Sequence, residues 1–247
     1  MANIKIEFSY NGQNYYGLQK QADKKTVQGE IEEALFKLFK TKTSITLAGR
    51  TDKGVSAQKM VANFETNYSI NPQKICYALN VLLPNDIRIL TSQKVCENFH
   101  ARHSAKSKTY CYKLYHSTFE LPLFPFESQI KFDVNFQNMK KAMKYLVGTK
   151  DFSSFVTNAK QYENCTRTIF KAVIKKENIL GIDHYYFYFK GNGFLYNQIR
   201  NMVGTILLAG QNKIKPKDLK KILNAKDRKL AGLCMPANGL VLMNVEY

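Results

Sequence analysis

The spacing of apolar residues changes period again and again along this chain, and that alternation limits its fold more than any single residue does. Ile4, Ile6 and Phe8 alternate with Lys5 and Glu7, the two-residue period of a strand with one buried face. Asn11-Gly12 then marks a turn. Val27, Ile31, Ala34, Leu35, Leu38 and Phe39 recur at intervals of three and four, as in an amphipathic helix, with Thr26 placed to cap it. Strand spacing returns at Ile45–Leu47 and at Met60, Ala62 and Phe64. Pro72 opens a helix through Leu79, and Ile87–Leu90 reads as a strand.

The same mixture recurs further on. Tyr110, Tyr112 and Leu114 share one strand face, and Cys111, Lys113 and Tyr115 the other. Met139, Ala142, Met143, Leu146 and Val147 form a helical stripe ended by Gly148. Phe170–Lys175 and Tyr185–Phe189 read as strands. Leu195, Ile199, Met202, Val203, Ile206 and Leu207 form another stripe, closed by Gly210; Pro216 opens a short helix through Leu223, and Leu240–Val245 is a further strand. These elements predict an α+β protein of two similar α/β halves, with antiparallel sheets joined into one continuous sheet. No Pro-, Gly- or Ser-rich linker divides the halves. The break is placed after His100-Ala101-Arg102, which gives 1–104 and 105–247 as domains.

No apolar run approaches the ~18 residues of a membrane span, and Met1–Glu7 holds no apolar signal core. The expectation is a soluble, cytoplasmic protein with no membrane partner. Five cysteines, an odd number with no Cys-x-x-Cys pair, argue against a disulfide framework and suggest buried small apolar groups. The four histidines show no metal-ligand spacing, so no metal site is expected, and there is no P-loop or dinucleotide motif for a cofactor.

Charge points to a partner. The formal net charge of +18 suits a polyanion, although a lysine-rich proteome would give the same balance. Of the basic residues 31 are lysines and only six arginines, at 50, 88, 102, 167, 200 and 228. Arginines kept in such a background mark places that need a planar, bidentate cation.

The segment Gly49-Arg50-Thr51-Asp52-Lys53-Gly54-Val55-Ser56 is the most informative in the chain. Two glycines bracket a carboxylate with a basic residue on either side of it. Glycine permits the backbone that aims a side chain outward, and a neighbouring arginine favours the ionised acid. Such a carboxylate can be a nucleophile, a base or a stabiliser of oxocarbenium charge; equally, it can satisfy the amides of its own turn.

Ala48–Ala57 resembles the signature loop of the tRNA pseudouridine synthase A family, and the resemblance runs in collinear order along the chain. It includes Phe8–Gly17 with Tyr10, Gly12 and Tyr15-Tyr16-Gly17, then Phe99-His100-Ala101-Arg102 and Lys106–Tyr112. It continues through Gly193-Phe194-Leu195, Arg200-Asn201-Met202-Val203-Gly204 and Gly239-Leu240. The resemblance implies the pseudouridine synthase fold, with a catalytic cleft between the halves. It implies Asp52 as catalytic aspartate, Arg200 as its partner, and Arg50 as the residue that displaces the target nucleotide. Tyr110 would stack on the uracil and Leu240 would line the base pocket. It further implies a homodimer without metal or cofactor that isomerises uridine in the anticodon arm of tRNA, at positions 38 to 40.

The sequence departs from the family pattern at Leu18, where a tryptophan is usual, at Lys53 and Ser56, and at Gln198-Ile199. These differences bear on the RNA target, and a synthase for another RNA stays open. The rival functions are a non-catalytic RNA-binding protein of the same fold, and an RNA-acting nucleosidase or metal-dependent nuclease. Detecting pseudouridine, free uracil or strand cleavage separates them.

Overall fold

Ile4, Ile6 and Phe8 form the buried face of β1 (Ala2–Tyr10) in the computed structural model, which describes residues 1–68 and 71–247. Antiparallel β3 (Ser56–Thr66) pairs Ile4 with Phe64, Ile6 with Ala62 and Phe8 with Met60, so both strands present their apolar side chains to one layer. Two helices cover that layer. Helix α1 (Val27–Phe39) is capped as expected, the Thr26 hydroxyl accepting from Gly29 N, and it buries Ile31, Ala34, Leu35 and Phe39. Helix α2 (Pro72–Leu82) packs against α1 and β4 (Ile87–Val95), which pairs with the other edge of β1.

The chain forms two compact units. One is Met1–Lys106 with Leu242–Tyr247, and the other is Ser107–Val241. In the first, the strand order is β4-β1-β3-β10, where β10 spans Leu240–Glu246 and the short β2 (Thr46–Leu47) also pairs with β3. In the second, β5 (Ser107–His116), β9 (Ile182–Gly191), β8 (Thr166–Ile179) and β7 (Gly148–Asp151) lie in that order, antiparallel where β9 meets β5 and β8. Strand β6 (Ser128–Ile130) runs parallel to β5. Tyr112 opposes Phe187 and Tyr110 opposes Phe189 on the buried side of this sheet. Helices α3 (Phe136–Met143) and α4 (Gln198–Gly210) pack on each other, α3 against β8 and α4 against β5. A short α5 (Asp218–Ala225) follows. This is the α+β class that the alternating periods predict.

Several boundaries differ from the sequence reading. The stripe from Met139 ends its α-helix at Met143; Lys144–Leu146 form a 3₁₀ turn, and Gly148, at φ +105°, opens β7. Leu195 precedes α4 because Asn197, at φ +59°, breaks the helical backbone before Gln198. Cys76, Cys111 and Cys165 are buried as expected, but Cys96 is exposed. Among the described residues no helix is long and apolar enough to cross a membrane.

Candidate active site

The Asp52 loop joins β2 to β3 in the first unit, and its shape follows from its glycines and neighbours. Val55 N donates to Asp52 O at 3.1 Å, and Gly54 has φ +82°. A positive φ at the third residue alone is the requirement of a type II turn, which a glycine meets without strain. Asp52 therefore opens a tight turn, half-buried, with Arg50 and Lys53 exposed on either side of it.

The segment after β1 clamps this turn. The Tyr10 hydroxyl shares a 2.7 Å hydrogen bond with Thr51 Oγ1 in a buried position, and Leu18 N donates to Thr51 O at 3.2 Å. A register shift between Phe8 and Tyr10 on β1 re-aims Tyr10 toward this loop. Gly12 N donates to Ser56 Oγ at 3.0 Å. A Cβ on Gly12 would lie 1.9 Å from Val55 O, so only glycine lets the two backbones approach. Gly17, at φ +100°, brings its chain against Thr51 O. The clamp is itself anchored, since the buried Tyr15 hydroxyl donates to Asp86 Oδ1 and Asn11 N to Asp86 O. Burial, reinforced by the Asp86 carboxylate, pushes the Tyr15 phenol well above its ordinary range, so it remains a donor.

In the second unit Arg200 lies in the first turn of α4, where the helix dipole disfavours a cation. Two bonds fix its plane: Nε donates to Met235 O at 2.6 Å and Nη1 to Asn197 Oδ1 at 2.7 Å. Asn197 is held in turn by its amide, which donates to Thr157 Oγ1 at 2.8 Å. Close backbone crossings secure the loop segment that supplies Met235, since a Cβ on Gly204 would fall 1.9 Å from Leu233 O and one on Gly232 2.4 Å from Gly204 O. Asn201 bridges to Phe155 O and accepts from Arg228, both at 2.8 Å.

Tyr110 on β5 is 8% exposed and meets the edge of Phe194 at 5.3 Å between ring centroids. Leu240 begins β10, buried, its N–H donating to Ala237 O at 2.9 Å. Before it, Gly239 has no room for a side chain: a Cβ would meet Lys113 O at 2.6 Å and Ser128 Oγ at 2.7 Å. Thus Arg50 and Asp52 share one loop of the first unit, while Tyr110, Arg200 and Leu240 belong to the second. Reading the sequence missed the residues that set the Asp52 loop and Arg200: Tyr10 and Thr51 for the one, Asn197 and Met235 for the other. Tyr10 lies in a segment the resemblance covers, but no spacing pairs it with Thr51.

A model described as tRNA pseudouridine synthase matches residues 7–104 and 142–247, which include Asp52, Arg200 and Leu240 and leave Tyr110 outside. Named relatives span the whole chain. The tRNA pseudouridine synthase A of Thermoanaerobacter sp. (strain X514) is 39% identical over 249 residues, all of both chains. That of Limosilactobacillus reuteri (strain DSM 20016) is 41% identical over 251 residues, covering all of this chain and 97% of the relative. That of Acetivibrio thermocellus is 40% identical over 248 residues, all of both chains.

Fold and matches together define the class, an isomerase that moves uracil from an N1 to a C5 glycosidic bond. The chain belongs to the tRNA pseudouridine synthase family.

Proposed function

We propose that this enzyme isomerises uridine to pseudouridine in the anticodon arm of tRNA, at positions 38 to 40, with Asp52 as catalytic residue. The observation that carries the proposal is the clamped turn, in which Tyr10, Gly12 and Gly17 hold the Asp52 loop rigidly. Chemistry needs such a carboxylate: the N1–C1′ bond breaks, uracil turns, C5 bonds to C1′, and the C5 proton leaves while N1 gains one. Nothing is oxidised and no group carrier is consumed. Asp52 acts as nucleophile or base at the ribose, and Arg200 orients its carboxylate through a planar fork.

Reaching a stacked uridine requires flipping it out, which costs a few kcal/mol. Arg50, exposed on the same loop as Asp52, fills the vacated place. Tyr110 stacks on the uracil and repays part of the loss, and Leu240 supplies an apolar wall. In this reading residues 1–104 bring the aspartate and 105–247 the arginine and tyrosine. The enzyme works in the cytoplasm as a homodimer in which one tRNA touches both subunits.

The test is tritium release from C5-labelled uridine in tRNA, with the modified positions mapped. Release at 38 to 40 supports the proposal, and release from wild type equal to that from Asp52→Asn refutes the catalytic role. Sedimentation showing a fully active monomer at assay concentration refutes the dimer.

A further inference from the structure

Beside the Asp52 loop, Tyr16 stands 45% exposed with an ammonium group close to its ring from each of two separate segments. Lys53 Nζ lies 4.2 Å from the ring centroid and Lys24 Nζ 4.9 Å. Lys53 is the residue next to Asp52; Lys24 comes from the loop before α1. Neither lysine has an ion pair among the described residues. The backbone of Tyr16 is fixed, its N–H donating to Lys25 O at 2.9 Å and its carbonyl accepting from Gln21 Nε2 at 2.7 Å. The next residue, Gly17, abuts Thr51 of the signature loop.

Two like charges gathered at one exposed ring repel each other, and an exposed cation–π contact contributes only about 0.5–1 kcal/mol. Neither ammonium group is ion-paired with a carboxylate among the described residues, so the pair is placed to take up an anion. We propose that Lys24 and Lys53, held by Tyr16, bind the RNA phosphates that flank the target uridine and so position it over Asp52. Lysine suits the task because a compact ammonium follows phosphates as a point charge, whereas a bidentate arginine would fix one geometry. Phosphate contacts set the register of a nucleic acid without reading its bases. The inference rests on the reading that RNA is the substrate.

The experiment compares Lys24→Met/Lys53→Met with wild type and with Lys140→Met, a surface lysine on α3 in the second unit. It measures tRNA binding against salt, and kcat and KM by tritium release. Each phosphate contact contributes roughly 0.7–0.9 to the slope of log affinity against log salt, so the double variant should lose about 1.4–1.8. Its KM should rise several-fold more than its kcat falls. Tyr16→Leu should share the loss and Tyr16→Phe should escape it, because only the ring face holds the ammonium groups. An unchanged slope, an equal loss per lysine from Lys140→Met, or a defect confined to kcat overturns the inference. Equal behaviour of the two Tyr16 variants overturns the part assigned to the ring. Wild type that releases no tritium refutes the underlying reading instead.

Discussion

Gly12→Ala tests whether the catalytic role proposed for Asp52 depends on the clamp around its loop. The new Cβ would sit 1.9 Å from Val55 O and 2.5 Å from Val55 C, against an ordinary separation of ~3.5 Å, so the backbones must part by about 1.5 Å. Both contacts are main chain, and no side chain can turn aside to relieve them. Parting them stretches the Gly12 N to Ser56 Oγ bond and the Val55 N to Asp52 O bond that closes the turn. At about 1 kcal/mol for each bond and 1–3 for overpacking, the loss is roughly 3–5 kcal/mol. For a chain of this size that is a fall in Tm of about 6–20 °C. A carboxylate displaced by ~1 Å should lose about 100-fold in rate.

Gly181→Ala separates the two effects. Gly181 sits at φ +81° in the β8–β9 hairpin with nothing within 4 Å of its Cβ position. Its substitution carries only backbone strain, about 1–3 kcal/mol, and should lower Tm while kcat stays within twofold. The assays are thermal unfolding and tritium release from C5-labelled tRNA. A Gly12→Ala enzyme with wild-type Tm and rate, or a Gly181→Ala enzyme equally inactive, refutes the reasoning.

Other outcomes follow from the same geometry. Asp52→Asn keeps the size of the side chain and removes its charge, so tritium release should drop by many decades while filter binding of tRNA holds or tightens. Arg200→Lys keeps the charge but cannot donate at once to Met235 O and Asn197 Oδ1; its kcat should fall about 100-fold with KM little changed. Glu7 ion-pairs with Lys5 at 3.1 Å and Lys59 at 3.0 Å; burial raises its pKa, but these partners prevail and hold it below its ordinary value. A depressed carboxylate stabilises the fold above its unfolded pKa and loses that contribution as pH falls through the folded one. Urea unfolding should therefore show Glu7→Gln less stable than wild type at pH 7, with the gap closing below about pH 4.5.

Much of this was legible in the sequence because strands and helices announce themselves by period. Thr26 was readable as a cap and Pro72 as a helix start, since both act on neighbours close in sequence. Gly12 was readable as important but for the wrong reason: the sequence suggests a turn, whereas the structure needs the close approach of Val55, more than forty residues away. The same distance hid the bond from Tyr10 to Thr51. Leu195 joined the helical stripe by spacing alone, because nothing in the pattern reveals that Asn197 adopts a left-handed backbone. Asp52 could be singled out by its glycines and basic neighbours. Arg200 stood out as one of six arginines in a lysine-rich chain, but its place beside an apolar stripe reads as a solvated helix edge, and its role came only from the resemblance.

The last strand has a consequence for how the chain is born. Leu242–Tyr247 belong to the first unit, where β10 lies beside β3, Lys106 N donates to Glu246 O and Tyr247 Oη to Ala101 O. All of Ser107–Val241 must be synthesised before those residues exist. At about 5–20 residues per second, β1, β3 and β4 wait several seconds or more with an edge of β3 still open. The second unit has every residue it needs before the first does. Folding as it emerges, the molecule completes its N-terminal half last, and the nascent Asp52 loop spends that interval attached to an unfinished sheet.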